Sequence, residues 1–229
     1  MVKLFILLAN FCLPTVSIFL SLRFPSTPFR WWFSLTITLH VIARMWETFF
    51  TSKEKDPRRF EGDWTLAAGT FAYIGLCFFI VFEFFLIPRE RYFAPFFLGL
   101  ILYVLASRLR WWGQITLGKQ WAIHVVGEEK IKKRRLLQIG PYEFMRHPIY
   151  TGILIEEIAL PLLANTYYAL MIGLLVNIPL LLIRLFMEEK KSFLKFGDDY
   201  LVYCQKAGRF FPKNNWVLFF KKMFIEIIR

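Results

Sequence analysis

The chain has 229 residues, 57% of them hydrophobic and 19% aromatic, with a formal net charge of +12. Soluble domains are usually about 45–50% apolar, so a single water-facing globule does not account for this composition. The basic residues gather in 51–59, 108–146 and 184–229, between or after apolar runs. That placement argues against a nucleic-acid partner and for the basic loops of a multispanning membrane protein lying against anionic lipid.

The first apolar run, roughly 3–22, has Lys3 ahead of it but no A-x-A cleavage site, and reads as a retained helix with Pro14 as a kink. A second span, roughly 31–50, carries His40, Arg44 and Glu47 at spacings of four and three, hence on one helical face. That stripe faces either the bundle and its edge or a substrate. The charged loop "TSKEKDPRRFEGD" precedes a third span at 65–87, and "PRERYFAP" precedes a fourth at about 94–107. The polar segment 108–148 holds nine of the 29 Lys and Arg.

From Ile149 to Ile183 the only charges are Glu156 and Glu157. As one helix this run would be about 52 Å long against a hydrocarbon core of about 30 Å. "PLLANTYY" in its middle supplies turn residues, so a helical hairpin with its tip near Asn165 is expected. The fold class is therefore an all-α integral membrane protein of about six transmembrane helices, the last two a hairpin. Residues 1–107 form four N-terminal spans, and 108–229 form a second region with the hairpin and a C-terminal tail. Cytosolic termini would leave four basic residues outside, Arg23, Arg30, Arg89 and Arg91, and 25 inside. The tail "WVLFFKKMFIEIIR" sets Lys222, Glu226 and Arg229 opposite apolar residues and reads as a helix lying in the interface. Cys12, Cys77 and Cys204 are scattered, with neither disulfide nor zinc spacing.

"GPYEFMRHPIYTG", residues 140–152, is unusually polar for the mouth of a span. His147 is held out of helical geometry by Pro148, which in turn suits the first helical position. Free N–H groups and the positive end of the helix dipole lie at that point, flanked by Tyr142 and Tyr150. The pattern suits an anion site, or simply a Pro-capped helix with an interfacial aromatic belt. Arg184 follows directly on the apolar run, with Glu188 one turn on along the same face. It is either a snorkelling Arg with a local partner or a clamp for a carboxylate. Glu156 and Glu157 either pair with His40 or Arg44 or line a substrate cavity. Tyr200 and Tyr203, in "FGDDYLVYCQKAGRFFP", read as packing residues of a helix and loop.

"LLQIGPYEFMRHPIYTG" followed by "RLFMEEKKSFLKFGDDYLVYCQKAGRFFP" resembles the catalytic region of the isoprenylcysteine carboxyl methyltransferase family, which is related to the phospholipid N-methyltransferases. The resemblance spans roughly 124–212, and its R-H-P-x-Y, R-x-x-x-E-E and F-G-x-x-Y pieces are specific as an ordered set. It implies S-adenosylmethionine bound at the cytosolic face. His147, Pro148, Ile149 and Tyr150 fall on the family's cofactor-binding tetrapeptide, and Tyr142 on its upstream Tyr. Arg134, Arg135, Leu136 and Leu137 occupy its backbone-contacting segment, where Arg134 replaces a His. Gly127 stands where the family has a cofactor-contacting Gln. Glu188 matches the cofactor-binding Glu, and Arg184 the Arg that addresses substrate.

The resemblance thus implies methyl transfer to a lipophilic substrate, foremost the carboxyl of a prenylcysteine-like group. The alternatives are lipid N-methylation, a sterol-type NADPH reductase, and a non-enzymatic membrane protein. No G-x-G-x-x-G is present, so a dinucleotide turn of the Rossmann type is not expected. The expected partners are a lipophilic small molecule or lipidated protein and membrane lipids, with the chain acting as a monomer. The expected membrane is a prokaryotic inner membrane or the endoplasmic reticulum.

Overall fold

A computed structural model describes residues 2–24, 28–47, 64–118 and 136–225, and all its regular elements among these are helical. Gly127, Arg134 and Arg135 lie outside the described residues, as do the charged loop at 51–63 and the Glu226 and Arg229 of the tail.

The first pair of helices, α1 (Val2–Arg23, containing Pro14) and α2 (Pro28–Trp46), is joined by buried hydroxyls. Ser34 Oγ lies 2.7 Å from Ser17 Oγ and 2.8 Å from Ser21 Oγ. In lipid, where the hydrophobic effect does not drive helices together, such hydroxyl contacts and close packing do that job. Helix α3 (Trp64–Leu86) packs against the pair through aromatic rings, Phe33 stacking on Phe84 with centroids 3.9 Å apart. Leu13, Ile37, Leu76, Ile80 and Leu160 complete this core.

Helix α4 runs from Phe93 to Leu117, well past the end expected near 107. Arg108 and Arg110 break the hydropathy there, but Arg110 lies inside the protein against two carboxylates, so the helix carries it without leaving the bundle. The continuous helix also runs through the 107/108 boundary drawn from sequence. Its packing on α5 (Pro148–Ala164) is tight: a Cβ on Gly99 would stand 2.5 Å from the Leu163 backbone nitrogen.

The hairpin forms where the turn residues put it. Asn165 ends α5 in the left-handed conformation, with φ 56°. The return arm is one continuous helix, α6 (Tyr167–Ile172), a π-helical turn (Gly173–Asn177) and α7 (Ile178–Phe196). The α3–α4 loop meets the hairpin tip: Arg89 donates to the Asn165 carbonyl at 3.2 Å and bridges Glu83 at 3.1 Å. Glu83 in turn accepts from the Tyr168 and Ala169 amides, satisfying the exposed N–H groups at the start of α6. The mouth of α5 and the charged end of α7 lie at the other end of the bundle.

Among the described residues, three helices are long and apolar enough to cross a membrane: Trp64–Leu86, Phe93–Leu117 and the joined Tyr167–Phe196. The chain is an integral membrane protein. The sequence leads one to expect about six spans; among the described residues these three reach spanning length and apolarity. Beyond them α8 (Asp198–Lys206) and α9 (Trp216–Ile225) fold back over the α5 end. Helix α9 buries Phe219 and Met223 against Trp112 and Phe144 and exposes Trp216, Val217, Phe220 and Phe224. Lys222 bridges Glu143 at 2.8 Å.

Candidate functional site

The mouth of α5 is fixed from outside by the C-terminal segment. A single 3₁₀ turn, Gly140–Glu143, leads into an extended stretch that pairs with the chain after α8. The Arg146 amide donates to Gly208 O at 2.7 Å, His147 N–H to Arg209 O at 3.2 Å, and Gly208 N–H to Phe144 O at 3.1 Å. Thr151 Oγ1 donates to Phe210 O at 3.0 Å. This strap passes so close to itself that a Cβ on Gly208 would fall 1.8 Å from the Phe211 carbonyl oxygen; only glycine fits. His147 takes the N-cap position and Pro148 opens the helix, so the amides that follow keep no helical acceptor of their own.

The second wall is α7. Tyr150 stands near both Arg184 and Glu188, which joins two stretches more than thirty residues apart. Arg184 also donates from Nη1 to Thr65 Oγ1 at 3.1 Å, tying it to the start of α3. Tyr142 is buried with the Glu188 charge nearby. Burial first, and that charge second, push its phenol well above the usual value, so it stays a neutral hydroxyl. The Tyr203 hydroxyl donates to the Tyr142 carbonyl at 2.7 Å, a structural role. Ile149 is buried, Leu137 half-buried, and Leu136 packs beside Tyr200 and Tyr203. Tyr142, Tyr150, Arg184 and Glu188 therefore share one corner at the charged end of the bundle.

His147 has a different neighbour. Its Nε2 lies 3.1 Å from Glu189 Oε1, and its ring meets Tyr150 edge to face at 5.7 Å. Glu189 also accepts from Arg146 Nε at 3.0 Å and Nη2 at 2.9 Å, and bridges Arg209 at 2.9 Å. Arg146 uses its remaining arm on the Ala207 carbonyl at 2.9 Å. Sequence reasoning singled out Glu188 and passed over Glu189, Arg146, Arg209 and Thr65. The E-E dipeptide and the Arg directly before His147 were visible signals for two of these. Arg209 and Thr65 are brought in by the strap and by α3, which no local pattern announces.

A second polar cluster lies deeper. Glu156 is fully buried and accepts from Tyr73, from Arg110 Nη1 at 3.1 Å and, across an ion pair, from Arg44 Nη1 at 3.2 Å. Glu47 joins the same two arginines at 2.6 and 2.8 Å. Tyr73 spends its proton on Glu156, so His40 Nε2 must donate to Tyr73 (2.7 Å). His40 Nδ1 lies 3.1 Å from the Tyr103 hydroxyl, which closes the network on that side. The stripe of His40, Arg44 and Glu47 thus faces the bundle and pairs with Glu156, as one of its two readings held. Glu157 does not join it: it is 4% exposed beside Asn177, with Oε2 unpartnered. No cluster of three or more metal-ligating side chains occurs among the described residues.

Residues 99–193 match the model of the isoprenylcysteine carboxyl methyltransferase (ICMT) family. The chain is 30% identical over 101 residues to the uncharacterized protein YpbQ of Bacillus subtilis, covering 42% of this chain and 56% of the relative. It is 30% identical over 123 residues to protein-S-isoprenylcysteine O-methyltransferase B of Arabidopsis thaliana, covering 51% of this chain and 59% of that protein. The matched parts thus span somewhat over half the length of these relatives. A solved structure of the eukaryotic intramembrane Ras methyltransferase ICMT aligns over 93% of this chain and 87% of that one, at TM-score 0.48 and 16% identity.

Proposed function

We propose that this chain, whose residues 99–193 match the model of the isoprenylcysteine carboxyl methyltransferase family, is an S-adenosylmethionine-dependent methyltransferase that esterifies the carboxylate of a lipophilic, prenylcysteine-like substrate. One observation supports the reading: Tyr150 stands near both Arg184 and Glu188, so that a cofactor residue and a substrate residue of the resemblance share one corner.

The residues present fit such a cofactor. Glu188 offers a carboxylate to amino or hydroxyl donors, and the amides after Pro148 offer an anion site to a carboxylate. Tyr142 and Tyr150 supply aromatic faces beside both. His147, Pro148 and Ile149 shape that wall, with Leu136 and Leu137 at its edge; Gly127, Arg134 and Arg135 belong to the same proposed set. When bound, S-adenosylmethionine supplies an electrophilic sulfonium methyl. Arg184 then has a single task, to bind the substrate carboxylate bidentately and aim an oxygen toward that methyl. No general base is needed, because a free carboxyl with pKa about 3.5 is ionised at pH 7. An ammonium substrate would have to lose a proton first and would be repelled by Arg184, which disfavours amine methylation.

On this reading residues 108–229 form the catalytic region and 1–107 support it, and the active site and termini face the cytosol as the charge asymmetry suggests. The expected state is a monomer in a prokaryotic inner membrane or the endoplasmic reticulum.

The test is calorimetric binding in detergent, followed by transfer of a labelled methyl group to a panel of prenylcysteines, fatty acids and aminolipids. S-adenosylhomocysteine should bind and NADPH should not, with label appearing in a base-labile ester. Binding of NADPH alone, or label confined to aminolipids, would overturn the assignment.

A further inference from the structure

The substrate residue of the proposed set is held from outside the matched segment. Arg184 donates from Nη1 to Thr65 Oγ1 at 3.1 Å, across 119 residues. Thr65 lies at the start of α3 (Trp64–Leu86), ahead of residues 99–193. It is 3% exposed, so its hydroxyl meets the guanidinium inside the bundle and not at the surface.

An Arg that only snorkels turns its head toward the headgroups or to a partner one turn along its own helix. The bond to Thr65 is a different kind of contact, because it ties the guanidinium sideways to a separate helix. The chemistry of the anchor also differs from the rest of the bundle. Glu156, Glu83 and Glu189 neutralise the arginines they hold, Arg110, Arg89 and Arg209 among them. A threonine hydroxyl fixes the direction of a guanidinium and adds no negative charge for an incoming carboxylate to displace.

The anchor is stiff as well. β-Branching leaves Thr65 few χ1 rotamers, and α3 holds its backbone. Its bond engages one of the five N–H donors of the guanidinium, and a bidentate carboxylate takes two, so the two contacts are compatible. An unanchored arginine loses rotamer freedom when its ligand binds. One already held by Thr65 has less to lose.

We propose that Thr65 is a positioning residue for the acceptor carboxylate, acting through Arg184, a role that rests on the methyl-transfer reading for the identity of that acceptor. Part of the acceptor's recognition then lies on α3, among the helices that precede residues 99–193.

The test is a double-mutant cycle on acceptor binding, by titration calorimetry of the full chain in detergent with S-adenosylhomocysteine present. The probes are N-acetyl-S-farnesylcysteine and its methyl ester, which lacks the charge. Thr65→Val matches the shape of the side chain and removes the hydroxyl. It should weaken binding of the acid about threefold to tenfold, the range for ordering one long side chain. Binding of the ester and of S-adenosylhomocysteine should not change, which also reports that the variant is folded. Thr65→Ser should restore most of the loss. With Arg184→Ala already in place, Thr65→Val should have no further effect on the acid. Equal affinity of Thr65→Val and wild type for the acid overturns the assignment. So does an equal loss for the ester, the same loss without Arg184, or a wild type that binds acid no tighter than ester. Acid that binds with the expected cycle and is not methylated would overturn the methyl-transfer reading and uphold the role of Thr65.

Discussion

Each arm of the hairpin carries two adjacent glutamates, and the two pairs are used in opposite ways. On α5, Glu156 is enclosed by Tyr73, Arg44 and Arg110, drawn from α3, α2 and α4. On α7, Glu189 is tied to Arg146, His147 and Arg209, whereas Glu188 stands half-buried in the Tyr150–Arg184 corner. Burial depth explains the contrast. Glu156, deep in the bundle, is compensated by those partners, and leaving a charge uncompensated there costs several kcal/mol. A carboxylate at the bundle's end can leave part of its hydrogen-bonding capacity to a ligand. Glu156 and Glu189 therefore hold the frame, and Glu188 is the one that the proposed function assigns to the cofactor.

The sharpest way to break this comparison is Glu156→Ala. It leaves Arg44 and Arg110 with Glu47 alone, an uncompensated buried charge, and should destabilise the protein by about 3–5 kcal/mol. Thermal unfolding in detergent measures it, and a melting temperature within a degree or two of wild type would sink the idea of a structural clasp. Next in size is the opposite pattern at Arg184. Arg184→Ala should lower turnover about a hundredfold, near 2.7 kcal/mol in transition-state stabilisation, with S-adenosylhomocysteine affinity largely kept. Glu188→Ala should instead weaken S-adenosylhomocysteine binding about tenfold, consistent with loss of a charge-assisted hydrogen bond. If either variant unfolded as readily as Glu156→Ala, the division between frame and site would be wrong. Glu189→Gln belongs between the two classes, keeping the shape but losing the charge that gathers the Arg146 and Arg209 guanidiniums and the His147 ring. A loss of about 1.5–3 kcal/mol in stability is expected, the range for hydrogen bonds to charged groups.

The sequence made the hairpin and its charged end readable because both rest on local signals. A run too long for one span, with Asn165 at its centre, has few solutions; Asn165 takes the left-handed cap. A Pro at the first helical position marks the mouth of α5 equally well. The approach of Tyr150 to Arg184 and Glu188 was foreseeable once the hairpin returned to the same end. What could not be read was anything depending on partners from other helices. Helix α4 was expected to stop near 107 because Arg108 and Arg110 look like the start of a loop. Only the distant Glu47 and Glu156 make Arg110 acceptable inside. Likewise Arg209 reaches Glu189 because Gly208 lets the strap close over Phe144, a contact across more than sixty residues.

The smallest expected effect tests the frame on the site side. Tyr203→Phe removes one buried hydrogen bond to the Tyr142 carbonyl and should cost about 1 kcal/mol. It also has a pH signature. Burial foremost raises the phenols of Tyr142, Tyr200 and Tyr203 above their ordinary value of 10.0. The folded protein then keeps these protons where the unfolded chain releases them. The corresponding stability is complete below about pH 10 and is lost as pH rises above it. In Tyr203→Phe one of the three titrations is gone, so stability should decline less steeply between about pH 10 and 11 than in wild type. Melting curves across that range separate this from a simple packing defect, which would lower stability equally at every pH.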